Sequence, residues 1–154
     1  MHCDFQDFID FHRYHRPRNT IMTMMTFRTS TPATCGIVEL DNKGIVQQFH
    51  EKVINPPGNL ANAAIYLLEP EVLDIVQNLP NVSDFDIDVM PSLLGKIATW
   101  ENTNIHRDIG TLDSLLEAQN DSITTLGWPN PDARQRDFEK NKIYKKIENT
   151  KNNY

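Results

Sequence analysis

Gly36-Ile37-Val38-Glu39-Leu40-Asp41-Asn42-Lys43-Gly44-Ile45-Val46-Gln47-Gln48-Phe49-His50-Glu51-Lys52 is the stretch that decides the fold. Two β-prone runs, 36–40 and 45–49, flank an Asp-Asn-Lys-Gly turn, which is the pattern of a β-hairpin. The second strand runs directly into His50, Glu51 and Lys52. In α/β sheets, ligands bind at the carboxyl ends of strands, so this hairpin both builds the sheet and offers a site.

Upstream, residues 20–27 form a short, mostly apolar run rich in Thr and Met, read as a buried strand. Its methionines are core fillers rather than ligands, because Met commonly packs irregular gaps. Before it, Phe5, Phe8, Ile9 and His12 recur at helical spacing, which predicts a helix over 4–16 stopped by Pro17. Downstream, Pro56-Pro57-Gly58-Asn59 is a loop and 61–68 a strand. A helix starts at Glu69-Pro70-Glu71, where proline and acidic residues suit a first turn, with Val72, Leu73, Val76 and Leu79 as its apolar face. A further helix is expected over 84–96 with Val89, Leu93 and Leu94 inward. Short strands follow at 97–100 and 104–107, and then a helix over 112–120 capped by Thr111. Residues 121–154 are expected to form a polar, partly disordered tail with a short helix over 139–148. Strands and helices in this order give an α/β fold with a mixed sheet flanked by helices.

Composition narrows the function. The chain has 154 residues, 39% hydrophobic and 23% charged, enough for one core. Residues 1–133 carry 8 Lys/Arg against 18 Asp/Glu, a net −10, whereas 134–154 carry 7 against 3, a net +4. An acidic body lacks the basic face that nucleic acid needs, so no nucleic-acid partner is expected. No apolar run approaches the ~20 residues that span a bilayer, so no membrane partner is expected either. The N-terminal residues show no signal-peptide pattern, which leads to the expectation of a cytoplasmic protein. Cys3 and Cys35 offer neither a disulfide framework nor a metal spacing.

Several residues have both a chemical and a structural reading. Lys52 is a point charge suited to phosphate and Glu51 an acceptor for hydroxyls, or the two are a surface ion pair. Asp108, between Arg107 and Ile109, either binds a hard cation such as Mg²⁺ or caps the helix that follows. Asn62 offers a donor and an acceptor to a sugar, or sits at a strand-edge turn. Gly36 either lets a ligand approach the backbone or simply starts a strand. Cys35 is the one candidate nucleophile, without an evident base. The five histidines form no zinc spacing. The chain also has no G-x-G-x-x-G or G-x-x-x-x-G-K-[ST] loop.

In order, the chain presents Thr31-Pro32-x-x-Cys35-Gly36-Ile37-Val38-Glu39-Leu40-Asp41, then Phe49-His50-Glu51-Lys52, then Asn62-Ala63-Ala64-Ile65-Tyr66, then Arg107-Asp108-Ile109-Gly110-Thr111. This succession resembles the sugar-1-phosphate nucleotidyltransferases, or nucleoside-diphosphate-sugar pyrophosphorylases, over about residues 4–120. It is most similar to their mannose-1-phosphate or heptose-1-phosphate guanylyltransferase-like branch. The resemblance implies the C-terminal half of a Rossmann-like, glycosyltransferase-A-like domain. It implies nucleotidyl transfer from an NTP to a sugar 1-phosphate, giving an NDP-sugar and pyrophosphate in nucleotide-sugar biosynthesis. It also implies roles: Gly36 and Asn62 line the sugar pocket, Glu51 accepts from sugar hydroxyls, Lys52 binds the sugar phosphate, and Asp108 is one of two aspartates that hold Mg²⁺. Lys52 and Asp108 are thus the expected catalytic pair.

Departures set further expectations. Val53 stands where the family often has Pro, and Ala64 where it has Gly, narrowing the pocket. The G-x-G-T-R-L loop, its lysine and the second metal-binding Asp are not found; Asp4 is read as lying just after that Asp. The chain is therefore expected to be a partial catalytic domain (1–120, the sugar-phosphate-binding half) followed by the tail. It is expected to be truncated and inactive alone, with NTP bound only together with the missing half. Association with such a half or a homo-oligomer is expected from an exposed sheet edge. The alternatives are a non-catalytic sugar-phosphate-binding module and an inactive gene fragment.

Overall fold

The computed structural model describes residues 3–107 and 109–120. Asp108, residues 121–154 and the helix expected over 139–148 lie outside the described residues. The chain divides into two compact units, residues 1–106 and 107–154.

The first unit is a mixed sheet with helices on both faces. Its strands are β1 (Met22–Arg28), β2 (Gly36–Leu40), β3 (Val46–Glu51), β4 (Leu60–Leu68) and β5 (Ile97–Glu101), in the order β3-β2-β4-β1-β5. Only β1 and β5 run parallel; β2, β3 and β4 pair antiparallel with their neighbours. The expected hairpin is β2–β3, and Gly44 makes its turn at φ +74°. That turn curls towards β5. Thr99 N–H donates to the Gly44 carbonyl (3.0 Å), Gly95 N–H donates to the Val46 carbonyl (2.8 Å), and Ile45 bridges to Ala98. The outer edge of β5 is thereby partly covered.

β1 is buried along its length except at Arg28 because it is covered on both faces. Met22 and Met24 enter a cluster with Val72, Val89, Met90 and Leu93, whereas Met25 and Phe27 pack with Phe8, Ile37, Ala61 and Ala63. Each such Met, Val, Leu, Ile or Phe side chain contributes about 1.5–3 kcal/mol by leaving water. Helix α1 (Phe5–Asp10) begins where the Asp4 carboxylate accepts from the Asp7 N–H (3.0 Å), then widens into a π turn over Phe11–His15. Arg16 is extended before Pro17, as expected. Within the π turn His12 Nδ1 meets the Thr23 hydroxyl at 2.8 Å, and just beyond it the Arg16 guanidinium donates to Glu69 and to the Thr20 carbonyl. The helical segment is thereby tied to β1 and to the start of α2.

Three details differ from expectation. In α2 (Pro70–Asn78), Val72 is buried with Ile75, Val76 and Leu79 beside it, but Leu73 is 56% exposed. At 100° per residue Leu73 lies off the stripe that Val72, Val76 and Leu79 define, and Ile75 takes its place. The helix expected over 84–96 is a π turn (Phe85–Val89) followed by the short α3 (Met90–Leu93). It stops there because Gly95, at φ +79°, reverses the chain. Residues 104–107 are not a strand. Asn102 N–H donates to the Thr26 carbonyl (2.8 Å), Asn104 N–H folds onto the Asn102 side chain (3.1 Å), and the His106 ring lies 4.1 Å from that of Phe27. Side-chain contacts replace the ladder there.

In the second unit, α4 (Leu112–Asn120) starts at Thr111 as expected. Thr111 Oγ1 accepts from the Ser114 N–H, and Ser114 Oγ accepts from the Thr111 N–H, both at 3.2 Å, which is a reciprocal cap. Arg107 pairs with Glu117 within the same unit.

Candidate functional site

The hairpin register sets Gly36 opposite Glu51. A Cβ at Gly36 would lie 2.5 Å from Phe49 Cζ and 2.7 Å from Glu51 Oε2, so only glycine leaves room for the ring and the carboxylate. The space above Gly36 is filled by Glu51 rather than left open. Lys52 follows in a left-handed conformation (φ +48°), and its N–H donates to the Cys35 carbonyl at 3.2 Å. This turn folds its ammonium back to Glu51, with Nζ 3.1 Å from Oε1. Lys52 is exposed and Glu51 is half-buried. The hydrogen bond and charge of Glu51 hold the Lys52 ammonium above its ordinary pKa, and the charges of Asp84 and Asp86 add to this. Lys52 is thus a cation paired with Glu51.

Asn62 stands beside this pair through its neighbour Ala61, which pairs with Ile37. Between Met24↔Tyr66 and Thr26↔Asn62 the register of β4 against β1 slips by two residues. In this bulge Ala64 is left-handed (φ +54°), and its N–H returns to Asn62 Oδ1 at 2.9 Å. Asn62 Nδ2 donates to the Tyr66 hydroxyl (2.6 Å), which in turn donates to Asp86 Oδ1 (2.9 Å). The Phe85 ring stacks on Tyr66 at 5.1 Å. Burial pushes the Tyr66 phenol well above its ordinary pKa; the Asn62 bond opposes this, and the Asp86 charge adds to burial. Tyr66 therefore stays neutral and donates.

Of the expected site residues, the structure brings Gly36, Glu51 and Lys52 together and places Asn62 in a neighbouring network. Asp108 lies outside the described residues. Tyr66, Asp84 and Asp86 were not singled out from sequence. The i, i+4 spacing of Asn62 and Tyr66 on one strand is a signal for the first; Asp84 and Asp86 fall within the helix expected over 84–96, where nothing in the sequence marks them out. Among the described residues Cys35 gains no base: its thiol meets the Thr34 and Thr29 hydroxyls at 3.7 and 3.9 Å. Among the described residues no three His, Cys, Asp or Glu side chains gather to hold a metal. A separate hollow lined by Arg18, Ile21, Glu71 and Lys96 contains none of the residues expected in the site.

The sequence matches the family described as "Nucleotidyl transferase" over residues 1–125. The chain belongs to that family. The mixed sheet flanked by helices is consistent with a nucleotidyl transferase domain. Relatives of this nucleotidyl transferase chain include a glucose-1-phosphate adenylyltransferase of Clostridium beijerinckii, 31% identical over 96 residues, covering 57% of this chain and 25% of the relative. One from Thermotoga maritima is 38% identical over 92 residues, covering 54% and 22%. A mannose-1-phosphate guanylyltransferase of Mycobacterium tuberculosis is 30% identical over 111 residues, covering 70% and 30%. The chain thus spans about a quarter of the length of these relatives. No helix among the described residues is long and apolar enough to cross a membrane.

Proposed function

We propose that this chain provides the sugar-phosphate-binding part of a sugar-1-phosphate nucleotidyltransferase. The reaction is NTP plus sugar 1-phosphate giving NDP-sugar plus pyrophosphate. An oxygen of the sugar phosphate attacks the α-phosphorus, that new P–O bond forms, and the bond to the β-phosphate breaks with pyrophosphate leaving. Such chemistry calls for cations that neutralise and align phosphates rather than a protein nucleophile.

The observation that carries this reading is the Glu51–Lys52 pair at the end of β3, folded together by the left-handed turn at Lys52 in a chain of this family. Lys52, permanently charged, binds the sugar phosphate. Glu51 accepts from sugar hydroxyls, Gly36 makes room for Glu51, and Asn62 forms a wall of the pocket. We assign to Asp108 the binding of Mg²⁺, which favours one or two carboxylates together with substrate phosphates. The NTP, and a partner or further segment that binds it, belong to the same proposal.

Thermal melting of the purified chain with glucose 1-phosphate or mannose 1-phosphate tests it. The transition is expected to rise with one of them, by the linkage between ligand binding and folding, and not with the free hexose. Lys52→Ala is expected to remove the rise while leaving the ligand-free melt unchanged. No rise with either sugar phosphate in the wild-type chain would overturn the proposal.

A further inference from the structure

Three aspartates crowd the π turn (Phe85–Val89) that leads into α3, and only one of them contacts the Asn62–Tyr66 network. Asp84 Oδ1 accepts from the Asp86 and Ile87 N–H groups (2.8 and 3.1 Å). Asp88 Oδ2 accepts from the Ser83 and Asp84 N–H groups (2.8 and 2.9 Å) and from the Ser83 hydroxyl (3.1 Å). Both carboxylates satisfy the start of the helical turn, and those backbone donors hold Asp88 below the ordinary carboxylate pKa. Asp86 does none of this. Its Oδ1 accepts from Tyr66 (2.9 Å) and, at a long 3.4 Å, from Asn62. Its Oδ2 meets no donor among the described residues, although the side chain is half-buried.

Asn62 is spent in holding this arrangement. Its oxygen takes the Ala64 N–H, and its two amide hydrogens go to Tyr66 and Asp86. A neutral Tyr66, stacked on the Phe85 ring, then fixes one carboxylate oxygen and leaves the other without a donor among the described residues. A carboxylate repels phosphate, so it suits the hydroxyl end of a sugar phosphate and not the end that Lys52 binds.

We infer that Asp86 is a specificity residue of the sugar site, its Oδ2 accepting one ring hydroxyl of the sugar, with Asn62 and Tyr66 as the positioning residues that aim it. This rests on the sugar-1-phosphate reading above. It deepens that reading by naming the group that tells one sugar from another. Hydroxyl–carboxylate bonds discriminate strongly, because an analogue lacking the hydroxyl leaves a desolvated charge unpaired.

The test removes the partner from either side. Binding of the 2-, 3-, 4- and 6-deoxy analogues of whichever sugar 1-phosphate binds is measured by calorimetry on the full chain, alongside the parent sugar. For the wild type, one deoxy analogue is expected to bind about tenfold more weakly than the parent, the scale of a charge-assisted hydrogen bond. In Asp86→Ala the parent weakens and that same analogue loses its disadvantage, so the two bind alike. Tyr66→Phe is expected to shrink the difference without abolishing binding, and Asp86→Asn supplies a near-isosteric variant if Asp86→Ala melts early. A purely structural Asp86 would lower affinity for parent and analogues equally. A deoxy penalty unchanged in every Asp86 variant would overturn the inference while leaving sugar-phosphate binding intact. No binding of any sugar 1-phosphate by the wild type would overturn both.

Discussion

β1 and the turn around Asp86 are built by opposite rules. β1 is apolar and threonine-rich, buried on both faces, and its methionines are held by shape alone: Met22, Met24 and Met25 are all fully buried. The turn at 83–88 carries three aspartates within five residues, and its order comes from donors aimed at individual oxygens. The comparison teaches that loss of apolar volume damages the whole unit, whereas loss of one donor changes what the molecule recognises.

The largest effect is expected from cutting into the strand. Met24→Ala leaves a void between β1 and the α2–α3 layer and is expected to cost about 2–5 kcal/mol. Urea denaturation would show it as a lower midpoint at nearly unchanged slope. A shift as small as that of an Asp86 variant would mean that the strand is not the part on which stability rests.

Gly36→Ala sits where the two rules meet. Its Cβ must displace the Phe49 ring, 2.5 Å away, and the Glu51 carboxylate, 2.7 Å away. The glutamate end can swing aside but the ring cannot easily do so. About 1–3 kcal/mol is expected in the melt, as for other overpacked sites. A weaker sugar-phosphate response than that loss explains is also expected, because Glu51 has moved. Unaltered ligand response in a destabilised Gly36→Ala would show that Glu51 does not touch the sugar.

A smaller effect separates the two by pH. Burial lowers the pKa of His12 from its ordinary 6.5, the Arg16 cation lowers it further, and Glu69, 3.4 Å away, pulls the other way without prevailing. The folded state therefore binds this proton less readily than the unfolded chain. His12 contributes stability that is fully present above about pH 6.5 and is lost as pH falls through its depressed folded value. Melting temperatures between pH 8 and 5 are expected to fall at the acid end, and His12→Gln is expected to flatten that fall. An identical pH profile in the variant would place the acid sensitivity elsewhere.

These contrasts also explain what could be read in advance. The hairpin, β1, β4, the start of α2 and the Thr111 cap follow from periodicity and from turn or cap residues, which act locally. Glu51 and Lys52 were legible because they end a strand. The Tyr66–Asp86 contact was not, since it joins positions twenty apart in sequence. Three aspartates with the same chemistry cannot be told apart until their donors are in place. Leu73 misled because it and Ile75 differ by only two positions, and only the packed helix shows which lies on the stripe. Residues 104–107 are not the expected strand, because only Ile105 among them favours one and the Asn102 side chain takes the Asn104 N–H.

Ala64 gives the finest test. From sequence it is a methyl group that narrows the pocket; in the structure it is exposed and left-handed, and its N–H anchors Asn62. An L-residue with a Cβ pays roughly 1–2 kcal/mol to hold that conformation, and glycine holds it freely but loses more entropy on folding, by about 0.5–1 kcal/mol. Ala64→Gly is therefore expected to raise stability slightly, by less than about 1 kcal/mol, with the Asn62–Tyr66–Asp86 chain retained. If the methyl group mainly fills pocket space, the variant instead binds bulkier sugar phosphates more tightly at constant stability. A melt and a titration on the one variant separate a backbone role from a lining role: strain relief moves the first, and a wider pocket moves the second.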